Sequence, residues 1–291
     1  MTVIIPSNRS SPFLHEAVAS ARAQTHPVAS LVLVDDGSPY PGLSAIADEL
    51  DLIYVRQQAA GISAARNRGV QAAATDWIAF LDDDDVWHPD RLARQMAMLD
   101  SASSAVACAT GGWYMRADGS RFGSDWVAIP ATRAELLRGD SPFPRVTTLT
   151  MKRSAYLSVG GCDTTMEPAE DNDLIMRLLL AGGEITTVPA PLVGYRRHDA
   201  NVTTRSIRGR VAGDRVVRRN LARALRSHDA VSAELLRANL RRFRSDHALD
   251  NLRELAAALR SGRLSDARDA FTWAVFRAPR ASARACLSGG T

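Results

Sequence analysis

The sequence predicts an α/β fold, a mixed sheet flanked by helices with a helical extension at its C-terminal end, and three observations predict it. Short β-branched or apolar runs alternate with helix-period segments from residue 2 to about residue 99, the pattern of parallel strands covered by helices on both faces. From residue 105 the alternation gives way to a hairpin pattern and isolated strand runs. After residue 204 only helical periodicity remains.

Residues 2–6 are the first β-branched run, and 14–24 carry Leu14, Val18 and Ala21 on one helical face. Residues 31–34 form the next strand, which runs into Asp35-Asp36-Gly37-Ser38, where Gly37 permits the turn. A helix over 43–50, a strand over 52–55 and a helix over 62–74 entered through Gly61 follow. Residues 77–81 read as a buried strand that ends directly in Asp82, Asp83, Asp84 and Asp85, with a helix starting near Pro89. A run over 105–115, a turn at Ala117-Asp118-Gly119 and a return through Phe122 predict a hairpin. Residues 146–151 alternate like a strand, 174–181 form a helix stopped by Gly182-Gly183, and 185–188 and 192–196 are short strands. Helices over 211–227, 230–244, 247–260 and 264–277 complete the chain and pair as helical hairpins. Two domains are expected, 1–204 and 205–291.

With 291 residues the chain can bury a large core. Cys108, Cys162 and Cys286 are far apart and outside any Cys-x-x-Cys pair, which excludes a disulfide framework and a zinc knuckle and fits a reducing cytoplasm. No basic leader precedes the first strand and no run of eighteen apolar residues occurs, so neither secretion nor a membrane span is expected. Residues 1–204 carry 17 Lys/Arg against 24 Asp/Glu, whereas 205–291 carry 19 Arg against eight acids. The arginines alternate with Leu221, Leu225, Leu235, Leu236, Leu252, Leu255 and Leu259 at core spacing, which favours packing or homodimerisation over nucleic acid. Residues 271–277 are the candidate for peripheral contact with the inner face of a membrane.

Four adjacent carboxylates at a strand end repel one another and raise one another's pKa. Two readings are open for Asp82 to Asp85. They form a solvated turn capping the next helix, or they hold a divalent cation at the sheet rim, where ligands bind in such folds.

Several local patterns occur in one order: Val3-Ile4-Ile5-Pro6, Gln24-Thr25-His26-Pro27, Val34-Asp35-Asp36-Gly37-Ser38, Gly61 through Ala65-Arg66-Asn67-Arg68-Gly69, and Phe80-Leu81-Asp82-Asp83-Asp84-Asp85. Gly160-Gly161, Glu170-Asp171 with Leu174 and Arg177-Leu178, and Tyr195-Arg196-Arg197-His198 extend the series. Over residues 2–204 the set resembles the family-2 glycosyltransferases of the GT-A fold, inverting enzymes that use nucleotide-activated sugars. The resemblance implies a nucleotide-binding half over 1–100 and an acceptor-side half over 101–204. It places Asp82 and Asp84 on the family's Asp-x-Asp signature, Asp84 toward Mn²⁺ or Mg²⁺ and Asp82 toward the ribose or in support of the metal shell, with Asp85 in support. Asp83 stands among the nucleotide-binding positions, and its own reading is a solvated neighbour. Pro6 and Ser7 face the nucleotide, Asp36 accepts from the N3–H of the base, Arg66 faces the diphosphate, and His198 completes the metal shell or touches diphosphate. Asp35 is expected to be structural and Asn67 a backbone partner. Asp171 is the expected base that takes the acceptor proton, because inverting transfer is a single displacement that needs one carboxylate opposite the leaving group. Glu170 and Trp113 are expected to orient or contact a carbohydrate or glycoconjugate acceptor.

One departure stands out. Relatives read Pro-Thr-Tyr-Asn where this chain has Pro6-Ser7-Asn8, so the aromatic that packs on the base is missing. Uridine is the family default, and thymidine and guanosine diphosphate sugars stay open. The competing reading is a non-catalytic nucleotide-sugar-binding scaffold of the same fold.

Overall fold

Strand β1 (Thr2–Ser7) is buried along its whole length in the computed structural model, which describes residues 1–39, 42–198, 207–278 and 281–283. Its apolar run, unbroken by alternation, fits a strand covered on both faces. β1 pairs in parallel with β2 (Ser30–Asp36) on one edge and with β4 (Trp77–Phe80) on the other, and β3 (Ile53–Gln57) extends the parallel part beyond β2. The sheet then turns mixed through β8 (Thr150–Lys152), β6 (Ala105–Arg116), β9 (Glu184–Arg197) and the two-residue β5 (Val86–Trp87). β7 (Arg121–Trp126) returns antiparallel on β6, as the hairpin pattern predicts.

On one face, Val3, Ile5, Leu31, Leu33 and Leu81 pack against Leu14, Val18 and Ala21 of α1 (Leu14–Arg22) and Leu43 and Ala47 of α2 (Gly42–Glu49). Each fully buried Leu, Ile or Val contributes about 1.5–3 kcal/mol of transfer free energy. On the other face α3 (Ile62–Ala72) lies so close to β1 that a Cβ on Gly69 would stand 2.3 Å from Ile4 Cγ2. Only glycine permits that approach. α4 (Arg91–Ser101) crosses the mixed part, where buried Gln95 donates to the Cys108 and Thr148 carbonyls at 2.6 and 3.0 Å.

The structure corrects two sequence expectations here. Residues 146–151 are not one strand: Thr148 N–H and Leu149 N–H turn back to the carbonyls of Arg145 and Val146, making a 3₁₀ turn, Val146–Thr148, before β8. Residues 184–197 are one strand rather than two. Pro189 and Ala190 bulge out of the β6 ladder, and Thr110 Oγ1 bonds the Ala190 carbonyl at 2.7 Å to bridge the gap. The two-residue β5 after Asp85 is an addition, and α4 starts at Arg91, two residues past Pro89. The short helices α5 (Arg133–Arg138) and α6 (Arg153–Ser158) are further additions.

Chain contacts divide the protein into two units. The first comprises residues 1–133, 143–165 and 177–201 and contains the whole sheet. The second comprises 134–142, 166–176 and 202–291, so two stretches from before the expected boundary group with the C-terminal helices. The boundary at 204 itself, and Cys286, lie outside the described residues. α7 (Glu170–Leu180) begins four residues before the predicted helix. In the second unit α8 (Ile207–Arg226) packs on α9 (Ala230–Asp246), and α10 (Ala248–Arg260) on α11 (Leu264–Thr272), the hairpin pairing that the periodicity suggests. Leu236 is fully buried, whereas Leu225 and Leu259, also placed on the core face by spacing, are exposed. Asp214, with no exposed surface, receives Arg218, Arg244 and Arg277 at 2.9, 2.7 and 3.4 Å. Among the described residues no helix is long and apolar enough to cross a membrane.

Candidate functional site

The four carboxylates follow β4 at the end of the parallel strands, and their environments differ. Asp82 is partly exposed and pairs with the buried Arg66 of α3 at 3.3 Å. Asp84 Oδ2 lies 2.9 Å from His198 Nε2, just past β9, and 3.5 Å from Arg9. Burial first, and then the charge of Asp82, hold the Asp84 carboxyl above its usual range, with His198 and Arg9 pulling it back. Asp85 is buried, accepting the Arg196 backbone N–H at 3.0 Å and the Thr147 hydroxyl at 3.4 Å. Burial and the charges of Asp82 and Asp84 push it well above the carboxylate range.

Asp83 is a correction. It is no solvated neighbour: it is 8% exposed, and burial pushes its pKa up to about 7. Ser7 Oγ stands 2.5 Å from Asp83 Oδ2 and 2.7 Å from the Arg9 carbonyl. A hydroxyl has one proton to give. Ser7 has both the Asp83 carboxylate and the Arg9 carbonyl within donating reach, and its hydrogen bond to Asp83 opposes the upward shift that burial causes. The helix-capping reading of the turn also fails, since α4 starts after Asp90 with no side-chain cap.

Arg196, which sequence reading left as part of a motif, organises this turn. Its side chain is 1% exposed and stacks over Phe13 at 4.4 Å. Nε donates to the Asp84 carbonyl at 2.8 Å, Nη1 to the carbonyls of Arg116 and Ala117, and Nη2 to Glu16 at 2.5 Å. Arg9 is likewise an addition. Its position directly after Pro6-Ser7-Asn8 was the available signal.

At the end of β2, Asp36 accepts from the Gln57 side chain and from the backbone N–H groups of Ala60 and Gly61, each at 2.8 Å. A carboxylate offers about four lone-pair sites, so one remains for a further donor. Gly37, at φ +71°, closes the turn against Ala59, beside a shallow cleft lined by Arg56, Gln57, Gln58 and Ala59. Asp35 is fully buried, bonding Ser38 N–H and the Tyr54 hydroxyl. Asn67 clasps the Cys162 backbone from both sides, donating to its carbonyl at 2.8 Å and accepting its N–H at 2.9 Å. Pro6, in β1, pairs with Val34 of β2.

Trp113 is 7% exposed, on the buried face of β6, with Arg121 stacked at 4.0 Å. In the second unit, Glu170 and Asp171 occupy the first turn of α7, where carboxylates oppose the positive end of the helix dipole. Asp171 Oδ1 accepts Asn172 N–H at 2.7 Å. Asp173, fully buried, accepts from Asn220 and Arg223, both at 2.9 Å. Among the described residues no group of three His, Cys, Asp or Glu side chains forms a metal cage. Asp84 and His198 supply an oxygen and a nitrogen at one point, next to Asp82. Those residues are the ones that could hold a divalent cation there.

A model of glycosyl transferase family 2 matches residues 2–160, more than half of the chain. The succinoglycan biosynthesis protein ExoW of Rhizobium meliloti is 40% identical over 126 residues, 38% of this chain and 38% of that protein. The putative teichuronic acid biosynthesis glycosyltransferase TuaG of Bacillus subtilis is 29% identical over 41% of this chain and 49% of its own length. The chain thus spans less than half the length of these relatives. Among solved structures, S. aureus TarS 1-349 in complex with UDP-GlcNAc superposes with a TM-score of 0.62 at 16% identity, covering 94% of this chain and 90% of that one. Its complex with UDP gives 0.60 at 18% identity, over 81% and 70%. The fold is that of the GT-A enzymes.

Proposed function

The chain belongs to glycosyl transferase family 2, and from that premise we propose that it is an inverting, metal-dependent hexosyltransferase. It moves a sugar from a nucleoside-diphosphate sugar, UDP-linked by preference, to an acceptor hydroxyl in polysaccharide or glycoconjugate synthesis. The observation that carries the reading is the convergence of Asp84, His198 and Asp82 at the end of the parallel strands, with Arg66 on Asp82. The UDP and UDP-GlcNAc in the TarS complexes, and the biosynthetic roles named for ExoW and TuaG, support the donor class and the setting.

Each residue has a task that its chemistry allows. Asp84 and His198 hold Mn²⁺ or Mg²⁺, which when bound neutralises charge on the departing diphosphate. Arg66 places a guanidinium at the same phosphates, Asp82 faces the ribose, and Asp36 uses its remaining lone pair for the N3–H of the base. Ser7 and Asp83, bonded to each other, shape the floor between β1 and the turn. Asp85 fixes the turn from behind through Arg196. Asp171 takes the acceptor proton as the anomeric bond forms and the diphosphate leaves, with Glu170 orienting the acceptor.

Nucleoside diphosphate release from a panel of UDP-, dTDP- and GDP-sugars with Mn²⁺ tests the reading. Turnover with one donor, lost in Asp171→Asn while donor binding persists, is the expected result. Donor binding without turnover, with any acceptor tried, would instead mark a binding scaffold.

A further inference from the structure

β6 and β9 carry a second cluster on the face opposite Arg196. Side chains alternate along a strand, so Trp113, Met115 and Arg196 share one face while Tyr114, its ladder partner Tyr195, and Arg197 share the other. On that other face Tyr114 meets the Trp126 ring at 4.8 Å and Tyr195 edge-on at 6.1 Å. Arg145 lays its guanidinium 4.6 Å from Trp126 and 4.8 Å from Tyr195, and donates from Nη2 to the Tyr114 hydroxyl at 3.1 Å. Arg197 sits 5.4 and 5.3 Å from the Tyr114 and Tyr195 rings.

Among the described residues neither Arg145 nor Arg197 has a carboxylate partner, and Arg145 Nη1 is buried without a hydrogen bond. Two guanidiniums over the rings make the cluster electropositive. Burial raises the Tyr114 phenol, yet the hydrogen bond and charge of Arg145 and the charge of Arg197 outweigh it and leave the pKa below the ordinary value. Arg197, exposed and without a carboxylate partner among the described residues, presents the guanidinium that an anion can reach.

Its position ties it to the carboxylate turn. Arg145 precedes by two residues Thr147, which bonds Asp85, and Arg197 lies between Arg196 and His198, which bond the turn from the other face of β9. Aromatic rings accept the apolar faces of sugar rings, and guanidinium forks match carboxylate and phosphate.

The geometry points to an acceptor subsite for an anionic sugar, formed by Tyr114, Trp126, Tyr195, Arg145 and Arg197. This inference rests on the transferase reading and names the charge class of its acceptor. The anionic group is a uronate carboxylate or a sugar phosphate.

Calorimetric titration of the full chain with methyl β-D-glucuronide, glucose 6-phosphate and neutral methyl β-D-glucoside tests it, with UDP, dTDP and GDP titrated in parallel. One charged probe is expected to bind at least about tenfold more tightly than the neutral one, the yield of one charge-assisted hydrogen bond, and the stronger of the two identifies the anion. Arg197→Gln, at an exposed position, is expected to erase that preference. Equal affinity for charged and neutral probes in wild-type protein that binds a nucleotide overturns the subsite, as does a preference that survives both Arg197→Gln and Arg145→Gln. Absence of binding by every nucleotide counts against the donor reading instead.

Discussion

Asp84 and His198 meet at 2.9 Å across 114 residues of sequence, carboxylate Oδ2 to imidazole Nε2. The parallel and mixed parts of the sheet bring together the end of β4 and the end of β9, so a two-residue donor set arises from topology rather than from any local motif. If both residues hold the cation, each should matter to nucleotide binding only when metal is present. His198→Ala is expected to weaken Mn²⁺-supported UDP binding by at least about 10- to 100-fold, since outer partners of metal ligands already cost that much and His198 is placed as a ligand, and to leave metal-free binding unchanged. Titrations with and without EDTA read the two terms, and an equal loss in both would remove His198 from the metal site.

Arg196→Gln tests whether the turn is held from behind. The guanidinium serves carbonyls at Asp84, Arg116 and Ala117 together with the Glu16 carboxylate, and its removal breaks four part-buried hydrogen bonds at about 0.5–1.5 kcal/mol each. A fall in urea-unfolding stability of about 3 kcal/mol is expected, with weaker nucleotide binding at temperatures where the variant is still folded. Unchanged binding in a folded variant would mean that the turn keeps its shape without Arg196.

The parallel half of the fold was legible because each strand there is a short apolar run closed by a turn residue. The mixed half was harder to read. Pro189 and Pro191 look like a strand break, yet β6 bridges the bulge with a side-chain bond, an event no single-strand pattern encodes. In the site, the placement of the four carboxylates at a strand end was legible in the sequence, but their burial was not. Asp83 looked solvated because it is one of four adjacent acids. Its burial comes from Ser7 and Ser11, more than seventy residues away in sequence, which bond its carboxyl and its carbonyl. Arg9 and Arg196 escaped notice for the same reason, since an arginine's partner is set by folding.

Asp83 predicts a pH dependence of stability. Its folded pKa of about 7 lies above the ordinary carboxylate value expected in the unfolded chain, so the folded state binds the proton more tightly. The resulting stabilisation is complete below the unfolded value and is lost as pH rises through about 7. Asp83→Asn mimics the protonated carboxyl. In EDTA its unfolding midpoint should equal that of the wild type near about pH 4 and exceed it near about pH 8.5. A constant difference at both values would show that Asp83 does not titrate in this range.

The helical unit predicts a contrast between the two ends of its ion pairs. Asp214 has no exposed surface and gathers Arg218, Arg244 and Arg277 from three segments of a region carrying 19 Arg against eight acids. Taking away the carboxylate leaves cations facing one another in a poorly solvated place, at about 3–5 kcal/mol. Taking away Arg218, which is 46% exposed, leaves Asp214 with two partners and removes a pair that water already screens, at about 1 kcal/mol or less. Asp214→Ala should therefore lower the unfolding midpoint of the C-terminal helices far more than Arg218→Ala, followed by hydrogen exchange of 207–278. Similar losses from the two substitutions would mean that the helices are held by apolar contacts around Trp273 and that the buried carboxylate is incidental.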